Sequence, residues 1–255
     1  MTKLHADFRR IPLAHRALHD VSDGRPENSR AAIRAAMAAG YGIEIDLQLS
    51  RDGRAMVFHD YDLTRLTGVK GVIQQRDATD LSQIALLGGD EGIPTLSEVL
   101  ELVASKVPLL IELKDQHGQM GVTDGRLEHA VAADIQGYAG PVGLMSFNPN
   151  SVVALADLVS ELPRGIVTEQ FPAETWPLLK PETRAHLRSI PDYERAGASF
   201  VSHSVKDLHN PRLAELRAQG ADILCWTVRS EEQEAEARKT ADNITFEKYL
   251  AKMPS

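Results

Sequence analysis

The sequence predicts an α/β protein, a TIM-type (β/α)8 barrel, on three observations. Short apolar segments with strand character recur along the 255 residues, and most are separated by helical patterns. Repeated β–α alternation builds a parallel sheet, and eight such units close into a barrel. No Pro/Ser tract, charge block or break in composition marks a linker, so a single domain over residues 1–255 is expected. A doubly wound sheet is the alternative architecture.

The first strand candidate is Ile11–His15, which ends in His15-Arg16. An Ala-rich helix follows from Ser29 to Ala39, with Asn28 or Ser29 placed to cap it and Gly40 to end it. Ile43–Leu49 comes next, with Ile43, Ile45, Leu47 and Leu49 on one face and Glu44, Asp46 and Gln48 on the other. The stretch SRDGRA then carries Asp52-Gly53, a hairpin signal. A parallel crossover needs a dozen or more residues, so AMVFHD must return antiparallel and bring His59 back toward the carboxylates.

From Tyr61 to Ile93 no clean β–α unit is visible, and an inserted lobe of about residues 61–93 is expected after this third strand segment, over one end of the barrel. The helix Thr95–Ala104 opens with the capping-box spacing Thr95-x-x-Glu98 after Pro94. Leu109–Lys114 ends in Glu112 and Lys114 at same-face spacing. Val142–Phe147, Gly165–Glu169, Ser199–His203, Ile223–Val228 and Asn243–Phe246 complete the set.

Composition narrows the partners. The formal net charge is −8, which disfavours nonspecific binding to nucleic acid or an anionic membrane. Cys225 is the single cysteine, so no intrachain disulfide can form, which suits a reducing cytoplasm. The opening MTKLHADFRRIPLAH lacks the apolar core of a secretion signal. No run approaches the roughly 18 apolar residues of a membrane span. A soluble cytoplasmic protein without stable membrane insertion, acting on a small molecule, is expected; oligomeric state has no signal.

Glu44 and Asp46 pose the chemical question. Asp and Glu are poor strand formers, and same-face neighbours lie about 6.6 Å apart along a strand, so two carboxylates there repel. Either a divalent cation such as Mg²⁺ or Ca²⁺ joins them, or they face water and pair with surface Arg or Lys. Strand C-termini converge in a barrel, so Glu112 can meet them at one rim; the alternative makes Glu112 and Lys114 a surface ion pair worth almost nothing. His15 and His59, each ending a strand beside these acids, suit an acid–base pair, with His19 ranked third. Three carboxylates, two imidazoles, Arg16 and Lys114 at one rim suit a phosphodiester. The cation neutralises one nonbridging oxygen, and the Arg and Lys donate to the others. One imidazole deprotonates the nucleophile and the other protonates the leaving alkoxide. No P-loop, Gly-x-Gly-x-x-Gly, zinc spacing or Gly-x-Ser-x-Gly elbow is present.

Taken in order, these islands resemble the glycerophosphodiester phosphodiesterase family. The matching motifs are His15-Arg16, Pro26-Glu27-Asn28, Glu44-Ile45-Asp46, Asp52-Gly53, VFHD with LTRLTG behind it, IPTLSEVLEL and IELK. Ser146-Phe147 and CWTV at Cys225–Val228 extend the resemblance over most of the chain. It implies a TIM-type barrel with a small insertion after His59-Asp60. It also implies Ca²⁺ or Mg²⁺ held by Glu44, Asp46 and Glu112, His15 and His59 as acid and base, and Arg16 and Lys114 gripping phosphate. Glu27 would join the metal and glycerol network, and Trp226 would wall the alcohol pocket.

Two positions depart from the family pattern. Ala17 stands where glycine usually follows His-Arg, and DNITFEKYL replaces an Asp-rich TDxP segment at the last strand. The implied reaction releases glycerol 3-phosphate and an alcohol. Alternatives are the same chemistry on a lysophospholipid or sugar phosphodiester, a non-catalytic barrel binding a phosphorylated ligand, and a metal-dependent sugar isomerase. A non-catalytic descendant predicts a damaged acid or histidine set, and none is seen. The isomerase gives no reason for Arg16 and Lys114.

Overall fold

The computed structural model describes residues 2–253. Eight parallel strands close into a barrel: β1 (Leu13–Ala14), β2 (Gly42–Leu49), β4 (Leu109–Leu113), β5 (Val142–Ser146), β6 (Arg164–Thr168), β7 (Phe200–Ser204), β8 (Asp222–Val228) and β9 (Asn243–Phe246). The order runs β1-β9-β8-β7-β6-β5-β4-β2, and β1 pairs with β2 to complete the circle. The remaining strand, β3 (Ala55–Val57), lies antiparallel on β2 with Leu47 opposite Val57. The hairpin turns at Gly53, whose φ of 82° is a conformation glycine adopts without strain.

Among the described residues seven helices wrap the barrel: α1 (Arg30–Ala38), α2 (Leu96–Val103), α3 (Arg126–Ile135), α4 (Pro149–Leu158), α5 (Pro181–Arg188), α6 (Pro211–Ala218) and α7 (Glu231–Ala237). Ser29 caps α1 by accepting from the Ala32 amide. Thr95 and Glu98 form the expected reciprocal box at the start of α2.

Strand alternation divides the core. Ile43, Ile45 and Leu47 face outward into one cluster with Ile33 and Ala36 of α1 and Val99 and Val103 of α2. The barrel floor is a second cluster in which Leu13, Leu110, Met145, Val167, Phe200 and Leu224 meet Leu4 and Phe8 from the N-terminal segment. A Cβ on Gly165 would lie 2.3 Å from the Phe200 ring, so glycine there makes room for that ring in the floor. The bottom is plugged by carbon, with Asn243 buried beside Leu224 and tied to the Phe8 and Ile11 carbonyls, and the inward carboxylates Glu44, Asp46 and Glu112 stand clear of this floor cluster.

The first strand is shorter than Ile11–His15. Pro12 has no amide hydrogen to give to a ladder, and Arg16 and Ala17 bend the chain away at φ 53° and 63°. Residues 61–93 form two short helices, Thr64–Thr67 and Ala78–Leu81, over a third apolar cluster that includes Phe58, Leu63, Ile73, Leu81 and Ile93. Among the described residues no helix is long and apolar enough to cross a membrane.

Candidate active site

The inward face of β2 carries Glu44 and Asp46, and the parallel register sets Asp46 beside Glu112 of β4. These residues are 2%, 1% and 6% exposed, so the acids do not face water at a strand end. One oxygen from each lies within 4.8 Å of the others. Carboxylates gathered this way repel unless cations intervene, and two side chains do so. Lys114 Nζ lies 2.7 Å from Asp46 Oδ1 and 2.6 Å from Glu112 Oε1. Arg16 donates to Glu27 Oε1 at 2.7 Å and brings Nε to 3.5 Å from Asp46.

Neutral donors complete the shell. The Arg16 amide donates to Glu44 Oε2 at 2.9 Å, and Asn28 Nδ2 donates to Asp46 Oδ2 at 2.9 Å. Asn28 stands at φ 59°, which turns its side chain to this task while Ser29 caps the helix. Ala17 also stands in the left-handed region, which accounts for the glycine usual at that place in the resemblance.

The electrostatics follow from the geometry. Burial, with Asp46 and Glu112 nearby, pushes the Glu44 carboxyl well above the ordinary range. Burial works the same way on Asp46, but Lys114, His59 and Arg16 outweigh it and hold that carboxyl well below. Glu112 is raised by burial against the pull of Lys114, and the Lys114 ammonium is held charged by Asp46 and Glu112 in spite of its own burial. The three clustered acids Glu44, Asp46 and Glu112 thus face two protein cations, Lys114 and Arg16, while Glu27 is paired with Arg16 and Arg65. An oxygen-only donor set of this size and charge fits a hard divalent cation and not a thiophilic one.

Both imidazoles border the same space. A cavity of about 140 Å³ is lined by His15, Arg16, Glu44, His59, Glu112, Lys114 and, on the far side, Phe147, Trp226 and Arg229. His15 Nδ1 lies 2.6 Å from Glu247 Oε2, and His59 Nδ1 lies 2.6 Å from Asp60 Oδ1. Burial lowers His15 to about 4 against the hydrogen bond it donates to Glu247, so its ring is neutral at pH 7. A neutral ring facing a carboxylate carries its proton on Nδ1 and leaves the Nε2 lone pair free to accept.

Of the residues singled out from sequence, His15, His59, Glu44, Asp46, Glu112, Arg16, Lys114 and Trp226 border this cavity or its acid floor. Glu27 stands to one side between Arg16 and Arg65, and it is not one of the oxygens within 4.8 Å. His19 lies in a neighbouring groove with Lys248, its Nε2 3.8 Å from Glu247. Sequence reasoning missed Asn28 as an Asp46 ligand, and it missed Asp60, Arg65, Glu247 and Arg229. Asp60 and Arg65 sit inside the quoted motifs VFHD and LTRLTG; Glu247 sits in the segment that departs from the family pattern.

Next to the cavity, and sharing His59, Glu112, Lys114, Phe147 and Trp226 with it, a wider recess of about 420 Å³ opens between Tyr61, Met120, Trp176 and Glu169. Phe147 packs against Trp176 and Trp226 with ring centroids 5.1 and 5.5 Å apart. Trp176 Nε1 donates to Glu169 Oε1 at 2.5 Å.

Comparison with known proteins points one way. A sequence model of the glycerophosphoryl diester phosphodiesterase family matches residues 15–244. A glycerophosphodiester phosphodiesterase of Caldanaerobacter subterraneus is 30% identical over 177 residues, covering 66% of this chain and 71% of that one. One from Bacillus subtilis is 25% identical over 252 residues, covering 88% of this chain and 78% of its own. Among solved structures, an Oleispira antarctica phosphodiesterase in complex with the product sn-glycerol-3-phosphate superposes with a TM-score of 0.74 at 25% identity, covering 92% and 91% of the two chains.

Proposed function

The chain belongs to the glycerophosphoryl diester phosphodiesterase family, and from that premise we propose that it hydrolyses glycerophosphodiesters to glycerol 3-phosphate and an alcohol. The observation that carries this reading is the convergence of Glu44, Asp46 and Glu112 with two imidazoles on one cavity. When bound by those three carboxylates, Ca²⁺ or Mg²⁺ supplies the positive charge that draws in and neutralises the phosphate.

The side chains then divide the work. Arg16 and Lys114 donate to nonbridging oxygens of the phosphate, and Glu27 holds the Arg16 guanidinium in place for it. One of His15 and His59 takes the proton of the attacking hydroxyl at Nε2, and the other gives a proton to the departing alkoxide. Trp226 and Phe147 wall the alcohol side. The test is release of glycerol 3-phosphate from glycerophosphocholine, with chelator and with Ca²⁺ or Mg²⁺ restored. Release in the presence of ion and none in chelator is expected; no release under any ion overturns the assignment.

A second reading keeps the chemistry and takes a lysophospholipid. The recess lined by Met120, Phe147, Trp176 and Trp226 favours it, being apolar, open and continuous with the cavity. Turnover of lysophosphatidylcholine at a rate matching glycerophosphocholine would select it.

A further inference from the structure

The two imidazoles are mounted in the same way by unrelated parts of the chain. His15 Nδ1 meets Glu247 Oε2 at 2.6 Å, and the other oxygen of Glu247 accepts from Arg229 Nε at 2.7 Å. His59 Nδ1 meets Asp60 Oδ1 at 2.6 Å, and Asp60 accepts from Arg65 Nε at 2.6 Å on Oδ2 and from Nη2 at 2.8 Å on Oδ1. The first series is assembled where β8 and β9 end, the second at the base of the 61–93 segment. We infer that Glu247 with Arg229, and Asp60 with Arg65, are positioning residues that fix the tautomer and aim of the two histidines. This rests on the acid–base reading of His15 and His59 above.

The physical argument starts from what each group can donate. A guanidinium only donates and stays charged, and an ionised carboxylate only accepts. A carboxylate pinned by arginine must therefore receive a proton from the imidazole, which places that proton on Nδ1 and turns Nε2 to the cavity. Burial opposes ionisation of both acids, yet Arg65 and His59 hold Asp60 well below the ordinary range, and His15, His19 and Arg229 do so for Glu247.

A stability role for the arginines is weak by comparison. The Arg229 and Arg65 side chains are 46% and 49% exposed against 9% and 22% for Glu247 and Asp60, so solvent screens the arginine side of each pair and reduces what it contributes to folding. Orientation is the effect that survives exposure, because it needs only the directed bonds.

Amide substitution separates the two roles. In Glu247→Gln the amide oxygen faces Arg229, so the NH2 faces Nδ1 and forces the proton to Nε2, the wrong tautomer for a base; either this change or Asp60→Asn also removes the carboxylate that stabilises the imidazolium, the form the acid needs. With glycerophosphocholine and Ca²⁺, kcat falls about 10²- to 10⁴-fold, while KM, Ca²⁺ affinity and melting temperature hold. ¹⁵N NMR of the ring nitrogens shows the shifted tautomer, and Glu247→Asp recovers part of kcat. Arg229→Gln and Arg65→Gln, on exposed side chains that do not threaten folding, lower kcat by about tenfold or more on the same reasoning. Wild-type kcat and an Nδ1–H tautomer in these variants, with His15→Ala and His59→Ala inactive, overturn the positioning role and spare the acid–base reading. Full activity in both alanine variants overturns both.

Discussion

Replacing Lys114 by methionine keeps the volume of the side chain and removes its charge from between Asp46 and Glu112. Two contacts are lost, at 2.7 and 2.6 Å, in a position 14% exposed. A unit charge pair at 4 Å is worth about 4 kcal/mol at an effective dielectric constant near 20. Part of that is offset by the desolvation the ammonium no longer suffers, so one-sided removal of a buried pair costs about 3–5 kcal/mol. For a chain of this size that lowers the melting temperature in chelator by roughly 6–20 °C.

The ion should respond in the opposite direction. Asp46 and Glu112 oxygens are no longer shared with an ammonium, so Ca²⁺ affinity rises about tenfold or more, or 1.4 kcal/mol. Saturating Ca²⁺ then shrinks the melting deficit. Turnover still falls, because the phosphate loses a donor. Thermal unfolding in chelator and calorimetric Ca²⁺ titration check the two halves. Unchanged metal-free stability, or weaker Ca²⁺ binding, would refute the view that Lys114 and the ion compete for the same carboxylates.

Other outcomes follow from the same geometry. His15→Ala and His59→Ala each lower turnover by at least about 10²-fold and leave calorimetric Ca²⁺ affinity unchanged; near-normal rates in both would remove them as acid and base. The Glu44 carboxyl is raised above its unfolded value of about 4.5, so its contribution to metal-free stability is present below that value and is lost as pH rises through the folded pKa. Ion binding needs the carboxylate and expels its proton, so proton release is seen by titration in buffers of different ionisation enthalpy, and the Ca²⁺-induced gain in melting temperature grows with pH. A gain that shrinks with pH would contradict the Glu44 assignment. Leu81→Ala, at a fully buried position of the 61–93 cluster, costs about 2–5 kcal/mol by chemical denaturation.

What could be read along the chain was what local spacing encodes. Alternation in Ile43–Leu49 gave both the strand and the acid face, and Asp52-Gly53 gave the return that brings His59 back. The seating of those acids inside the barrel also explains why poor strand formers sit there: their helix-facing neighbours Ile43, Ile45 and Leu47 supply the packing. The residues missed were those whose role depends on closure of the barrel. Glu247 reaches His15 across 232 positions, and nothing in FEKYL marks it as a partner. Asn28 was ambiguous because capping and acid-binding use the same amide, and its φ of 59° decided between them. The short β1 turned on Arg16 and Ala17, whose left-handed backbone has no signature in either side chain.

That two-residue strand has a thermal consequence. Leu13 and Ala14 are joined to Gly42 and Ile43 on one side and to Thr245 and Phe246 on the other, two register pairs each. The seam of the cylinder is thus its narrowest weld, and His15 and the Arg16 amide hang directly from it. Fraying there sacrifices few ladder bonds while it carries an imidazole out of reach of its target. On warming, the enzyme should fall silent several degrees before its helices melt, and cooling should revive it.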